Sequence, residues 1–173
     1  MKTSSIIGGI VALGLNATAH AQSADPAASA HGFVDRFYAW YVPLIVSPKG
    51  APGWDIVLTK ARTDLSPELN LALKADSDAS KKNANEVVGL DFDPFLNSQD
   101  PCQHYTVGKA AMGKGVFDVE IRCVGSKDKQ PDLIAEVAQR NGQWMFVNFV
   151  YPGNGDLLKV LKQLAEERAK PSH

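Results

Sequence analysis

Cysteine is scarce in this chain, which has two among 173 residues, Cys102 and Cys123. They form no Cys-x-x-Cys pair and neither has an adjacent histidine, which argues against a redox couple or an activated thiol. Histidine is scarce too: beyond His20 near the N-terminus, the chain holds His31 and His104, with His173 at the tail. That is too few for a histidine-rich zinc site, and no metal is expected. An excess of charge is also missing. Eighteen basic and 19 acidic side chains leave a net charge of -1, so no long-range field draws the chain to nucleic acid or anionic lipid, and no local basic patch stands out. The longest apolar run, Ile6 to Leu15, is too short for stable membrane insertion. There is no Gly-x-Ser-x-Gly elbow, no phosphate-binding glycine loop and no internal repeat. No cofactor is therefore expected.

What remains is ordinary globular composition, 45% hydrophobic and 21% charged, at a length that suits one domain. Lys2, the apolar stretch from Ile6 and Ala19-His20-Ala21 match a secretory signal peptide cleaved after Ala21. Residues 1–21 are thus read as signal peptide, 22–30 as a flexible lead-in and 31–170 as a single domain, periplasmic or secreted. No cysteine at the processing site offers a lipid anchor. Export into an oxidising compartment favours a disulfide between Cys102 and Cys123. It would close a loop of about 20 residues and contribute roughly 3 kcal/mol in the chain-entropy model.

Asp25-Pro26 can cap and open a helix. Phe33, Phe37, Trp40, Tyr41 and Leu44 then recur at helical spacing, and Pro43 is expected to bend or end that helix near Val42. Trp54, Val57, Leu58, Ala61 and Leu65 suggest a second helix. Ser66-Pro67-Glu68 restarts a third. Asp76 to Glu86 has almost nothing to bury and reads as a solvated loop. Beyond Cys102 the period drops to two. Strands are expected over 104–107, 117–123, 133–139 and 144–151, with a turn from Gly108 to Gly115 and a hairpin at Asn141-Gly142. The last strand would carry Trp144, Phe146, Asn148 and Val150 on one face and Met145, Val147, Phe149 and Tyr151 on the other. Pro152 to Gly155 stops it, and a last helix follows from Leu157.

Helices first and consecutive strands afterwards mean an α+β fold. The economical arrangement is a curved antiparallel sheet of about four strands, packed on one face by the N-terminal helices and a C-terminal helix.

Four ordered stretches carry a resemblance: Phe37 to Tyr41, Leu65 to Leu69, Asp91 to Asn97 with Gln99-Asp100, and Trp144 to Phe149 with Tyr151-Pro152. Together they resemble a family of uncharacterised bacterial exported proteins and lipoproteins, classed as a domain of unknown function. The resemblance implies a shape similar to the cone-like fold of nuclear transport factor 2 and the ketosteroid isomerases. It brings no settled activity with it.

The connector from Gly89 to Cys102 lies at the seam between helices and strands, and it sets Asp91, Asp93, Asn97 and Asp100 among phenylalanines. Three readings fit. Carboxylate and amide oxygens suit calcium, although the spacing is not that of an EF-hand. A buried aspartate, Asp91 or Asp93, could serve as a catalytic acid–base group. Short polar side chains could instead bond backbone amides while Phe92, Phe95 and Leu96 anchor the segment. Tyr38 and Tyr41 on the aromatic helix, with Asn148 and Tyr151 on the last strand, are the groups expected to meet the connector and line a binding site. The functional expectation is a non-catalytic binding domain holding a small molecule, a peptide or a protein partner in a sheet cavity or on its rim. An immunity-type protein that neutralises an exported toxin, and an isomerase- or hydratase-like enzyme, are the alternatives.

Overall fold

The computed structural model describes residues 25–47, 52–82 and 88–170. The signal peptide and its cleavage position lie outside the described residues, as do residues 83–87. Asp25 opens the first helix, α1 (Pro26–Ile45). Its side chain accepts the Ala27 N–H at 3.0 Å, and Pro26 fills a first-turn position where a missing N–H costs nothing. The helix therefore begins inside the stretch read as a lead-in, and Ala30 is already fully buried. It also continues through Pro43. Proline cannot donate to the Ala39 carbonyl, but the next turn closes, with the Val46 N–H on the Val42 carbonyl at 3.1 Å.

Helix α2 (Gly53–Lys60) gives way to a single 3-10 turn, Arg62–Asp64, before it reaches Leu65. Leu65 makes an isolated bridge to Phe146, and the Ser66 N–H donates to the Phe146 carbonyl at 2.8 Å. Ser66 then caps α3 (Pro67–Lys82), its hydroxyl accepting from the Leu69 N–H at 3.2 Å. The expected solvated loop from Asp76 is wrong as far as Lys82, because α3 runs on through it. Its inward positions there are polar rather than apolar. Asp76 is 1% exposed and accepts from Arg168 Nη1 at 2.6 Å and from the Leu90 N–H at 2.9 Å. A buried carboxylate with those partners is satisfied, but it leaves no hydrophobic stripe to read.

Five antiparallel strands follow: β1 (Tyr105–Met112), β2 (Phe117–Cys123), β3 (Leu133–Arg140), β4 (Gln143–Tyr151) and β5 (Gly155–Asp156), in the order β1-β2-β3-β4-β5. The fold is α+β, an open antiparallel sheet with helices packed on it, and β5 is the strand beyond the four expected. β1 extends past Gly108, where a turn was expected, by taking up a bulge between Val107 and Ala110. Asn141 and Gly142 adopt φ of 52° and 78°, the left-handed pair that a two-residue hairpin requires. In β4 the register shifts between Phe146 and Asn148, so Val147 is the extra residue. Phe146, Phe149 and Tyr151 are buried together and Asn148 turns to the other face, which corrects the strict alternation expected of this strand. Asn148 Nδ2 donates to Asp156 Oδ1 at 3.0 Å, and its own carbonyl oxygen accepts from the Leu158 N–H at 3.2 Å. It thereby pins the start of the last helix, α4 (Leu157–Arg168).

The core lies between α1 and the inner face of the sheet. Phe37 packs on Phe146 with ring centroids 4.8 Å apart and on Phe95 at 5.6 Å, and Phe95 packs on Phe149 at 5.0 Å. Each ring buried this way contributes on the order of 2 kcal/mol. Cys102 and Cys123 form the expected disulfide, with Cα atoms 5.8 Å apart. A cystine of this kind fits an oxidising compartment. No described helix is long and apolar enough to cross a membrane.

Candidate functional site

The connector folds back over the sheet and meets α1, where three tyrosine hydroxyls hold it. Tyr38 Oη donates to the Phe95 carbonyl at 2.7 Å, Tyr41 Oη to Asp93 Oδ2 at 2.6 Å, and Tyr151 Oη to the Pro94 carbonyl at 2.9 Å. Tyr38 and Tyr41 share a face of α1 because they are three residues apart. Tyr151 reaches the same loop because the β4 bulge turns it inward. Asp93 closes the loop from within, its Oδ1 accepting from the Phe95 N–H at 2.9 Å and the Leu96 N–H at 3.1 Å. Its backbone pairs with Ser98, and Asn97 between them takes φ of 51°, a left-handed conformation that asparagine tolerates.

Burial governs the electrostatics. It raises the Asp93 carboxyl to about 6, against the opposing pull of the hydrogen bonds from Tyr41, Phe95 and Leu96. The Tyr38 and Tyr41 phenols are pushed well above 10, first by burial and then by the Asp93 charge, and Tyr151 is raised for the same reasons. All three therefore remain donors. Gly53, the first residue of α2, is packed against the Tyr41–Asp93 hydrogen bond. A Cβ there would overlap Tyr41 Oη and lie 2.7 Å from Asp93 Oδ2.

Tyr38, Tyr41, Asp93 and Tyr151 are thus brought together, as the sequence led one to expect, but their hydrogen-bonding capacity is spent on the loop itself. No buried side-chain nitrogen or oxygen among the described residues lacks a partner. The other proposed residues lie apart from this cluster. Asp91 is exposed and accepts from Gln99 Nε2 at 3.1 Å. Asp100 is exposed, its N–H on Ser98 Oγ at 3.1 Å. Asn97 Nδ2 donates to the Asp132 carbonyl at 3.0 Å, tying the loop to the β2–β3 connection. Asn148 serves α4 on the opposite face and does not meet the acidic connector. Among the described residues no three His, Cys, Asp or Glu side chains converge as a metal site.

An open groove of about 400 Å³ adjoins this cluster, between the outer side of α1 and the start of β1. One wall is a helical stripe, Asp35, Tyr38, Ala39, Val42, Pro43 and Val46; the other is Gln103, His104, Tyr105 and Val107. β1 is the edge of the sheet, bonded to β2 alone. The disulfide fixes the second wall, since Cys102 directly precedes Gln103 and Cys123 pairs with Tyr105. Apart from Tyr38, the sequence offered little to mark these residues. The usable signal was Pro43 inside a helical pattern, which places a kink-prone, apolar surface beside Val42 and Val46.

No protein-family model matches this chain, and no curated protein is significantly similar to it.

Proposed function

We propose that this is an exported, non-catalytic binding domain that holds its ligand on the rim of the sheet, in the groove between α1 and β1. The observation that carries the reading is the division of labour around Tyr38. Its hydroxyl locks the connector, while the same residue forms part of the groove wall. Phe37, Phe95, Phe146 and Phe149 fill the space beneath, so the room for a ligand is outside them rather than inside a cone. The groove falls in the size range of small-molecule sites, and its wall mixes apolar side chains with Asp35, Gln103 and His104. The resemblance to exported proteins with a nuclear-transport-factor-2-like shape agrees with this reading and belongs to the proposal. The acid–base alternative has a buried Asp93 in its favour, but it needs that carboxylate to reach a substrate, and Tyr41, two backbone N–H groups and Gly53 enclose it.

The test is a fluorescence titration of the chain from Gln22 to His173 with Nile red, a neutral dye that brightens in apolar sites. Saturable one-to-one binding is expected, and Ala39→Trp, which fills the groove from an exposed helical position, should abolish it. Equal binding by wild type and Ala39→Trp, or no binding by either, overturns the reading.

A further inference from the structure

We propose that the chain cuts its own backbone in acid: the Asp93 carboxyl attacks the Asp93 carbonyl carbon and breaks the bond to Pro94. The enclosure that keeps Asp93 from an outside substrate does not keep it from its own main chain. A carboxyl closing on its own carbonyl carbon forms a five-membered ring, with nucleophile and target already held together.

Proline decides the direction of the chemistry. It has no N–H, so its nitrogen cannot attack the side chain to form an imide. As a tertiary amide it also accepts a proton and departs more readily than an ordinary peptide nitrogen. Two donors reach the oxygen on which charge develops: the Leu96 N–H lies 3.3 Å and the Ser98 N–H 3.4 Å from the Asp93 carbonyl oxygen. The Leu96 N–H is shared with Asp93 Oδ1 at 3.1 Å, so it can pass to the carbonyl oxygen as the carboxyl turns to attack. The Asp93 N–H is held on the Ser98 carbonyl at 2.8 Å, which fixes the loop around the bond.

The reacting form is the protonated acid, and the surroundings favour it. Asp93 is 7% exposed. Facing it are the phenols of Tyr38 and Tyr41 from α1, Tyr105 from β1 and Tyr151 from β4, with Gly53 from α2. None of these carries a positive charge, and burial raises the carboxyl to about 6. In the step itself, one carboxyl oxygen bonds to the Asp93 carbonyl carbon, the proton of the acid passes to the Pro94 nitrogen, and the C–N bond breaks. The products are a cyclic anhydride on residue 93 and a free secondary amine at Pro94. Water then opens the anhydride to an ordinary C-terminal aspartate. Cys102 and Cys123 both lie beyond the cut, so no covalent link joins the two pieces, and the hydrogen bond from Tyr38 to Phe95 then spans separate chains.

Two further Asp–Pro bonds, after Asp25 and Asp100, serve as references, because both aspartates are exposed. The experiment holds the oxidised chain from Gln22 to His173 at pH 5 and pH 7.5, folded or in guanidinium chloride, and reads the fragments by intact mass and N-terminal sequencing. The folded chain at pH 5 should yield Gln22 to Asp93 and Pro94 to His173. Its bond after Asp93 should break about tenfold faster than in the unfolded chain, where the carboxyl has its ordinary pKa, and about thirtyfold faster than in the folded chain at pH 7.5. The bonds after Asp25 and Asp100 should gain nothing from folding. Asp93→Asn should stop the reaction, and Pro94→Ala should slow it while keeping the acid. No cut after Asp93 at pH 5, equal rates in folded and unfolded chains, or an undiminished rate in Asp93→Asn overturns the proposal. Should Asp93→Asn fail to fold, the comparison of folded and unfolded wild type decides alone.

Discussion

Tyr41 Oη stands 2.6 Å from Asp93 Oδ2, and among the described residues it is the one side-chain donor that this buried carboxylate receives. The other two come from the backbone of the loop that the carboxylate organises. Tyr41→Phe keeps the ring, which stacks on Phe37 with centroids 5.1 Å apart, and deletes only the donor. The expected cost is about 1.5–3 kcal/mol near neutral pH, the range for a hydrogen bond to a buried charged group. It should be smaller near pH 4, where the acid is protonated. Urea denaturation at the two pH values measures both.

The pH dependence of Asp93 has a definite sign. Its carboxyl is raised from 3.8 to about 6 in the folded chain by burial. Between those values the folded state keeps a proton that the unfolded state has released, so this group's contribution to stability falls as pH rises through the window. The shift corresponds to about 3 kcal/mol. Relative to Asp93→Asn, which does not titrate, the wild type should lose that amount between about pH 4 and pH 7. Comparing the two proteins cancels the other carboxylates. A difference that stays flat with pH would show that Asp93 does not titrate there.

Gly53→Ala is expected to destabilise the protein by about 1–3 kcal/mol, as overpacking does. The new methyl would be forced between Tyr41 and Asp93, and Ile45 Cδ1 lies 2.6 Å from its ideal position. Thermal unfolding measures the loss. An unchanged melting temperature would mean that α2 does not seat against the hydrogen bond as described.

Arg168→Ala removes the cation from a carboxylate that is 1% exposed and links α3, α4 and the start of the connector. An uncompensated buried charge costs about 3–5 kcal/mol. Adding Asp76→Asn should recover part of that loss, because the amide oxygen can still accept from the Leu90 N–H. Denaturant midpoints of the single and double variants decide the point.

Reduction of the disulfide, or Cys102→Ser with Cys123→Ser, should cost about 3 kcal/mol. It should also weaken Nile red binding more than an equally destabilising core substitution does, because it frees the wall that begins at Gln103. Fluorescence titration of the oxidised and reduced protein separates the two effects.

The α+β order, the aromatic stripe of α1 and the strict alternation of β2 were all legible, because in each of them a single periodicity meets a single face. The meeting of Tyr38 and Tyr41 with Asp93 was expected from the connector's place at the seam between helices and strands, not from any periodicity. Asn148 was misplaced because an extra residue in β4 reverses the phase of everything after it, and nothing in Phe146-Val147-Asn148 announces that. The second half of α3 was lost because Asp76 and Ser77 occupy inward positions that a hydrophobic pattern skips. The groove had no local signature at all. Its walls are separated by about sixty residues of chain, and each is unexceptional until Pro43 and the cystine bring them into register.

The extra residue at Val147 also makes the chain's tolerance of length changes uneven along β4. A deletion there would restore simple two-residue alternation. Phe146 and Asn148 would become direct neighbours with their pairing to Val137 and Glu136 unchanged, so Phe149 and Tyr151 would stay inward and Asn148 outward. A one-residue change between Asn148 and Tyr151 would instead turn Tyr151 into water. The neighbouring Asn141-Gly142 turn, which points into solvent, carries no such penalty. Insertions and deletions accumulated by descendants of this sequence should therefore gather at the turn and at Val147, and spare the strand beyond it.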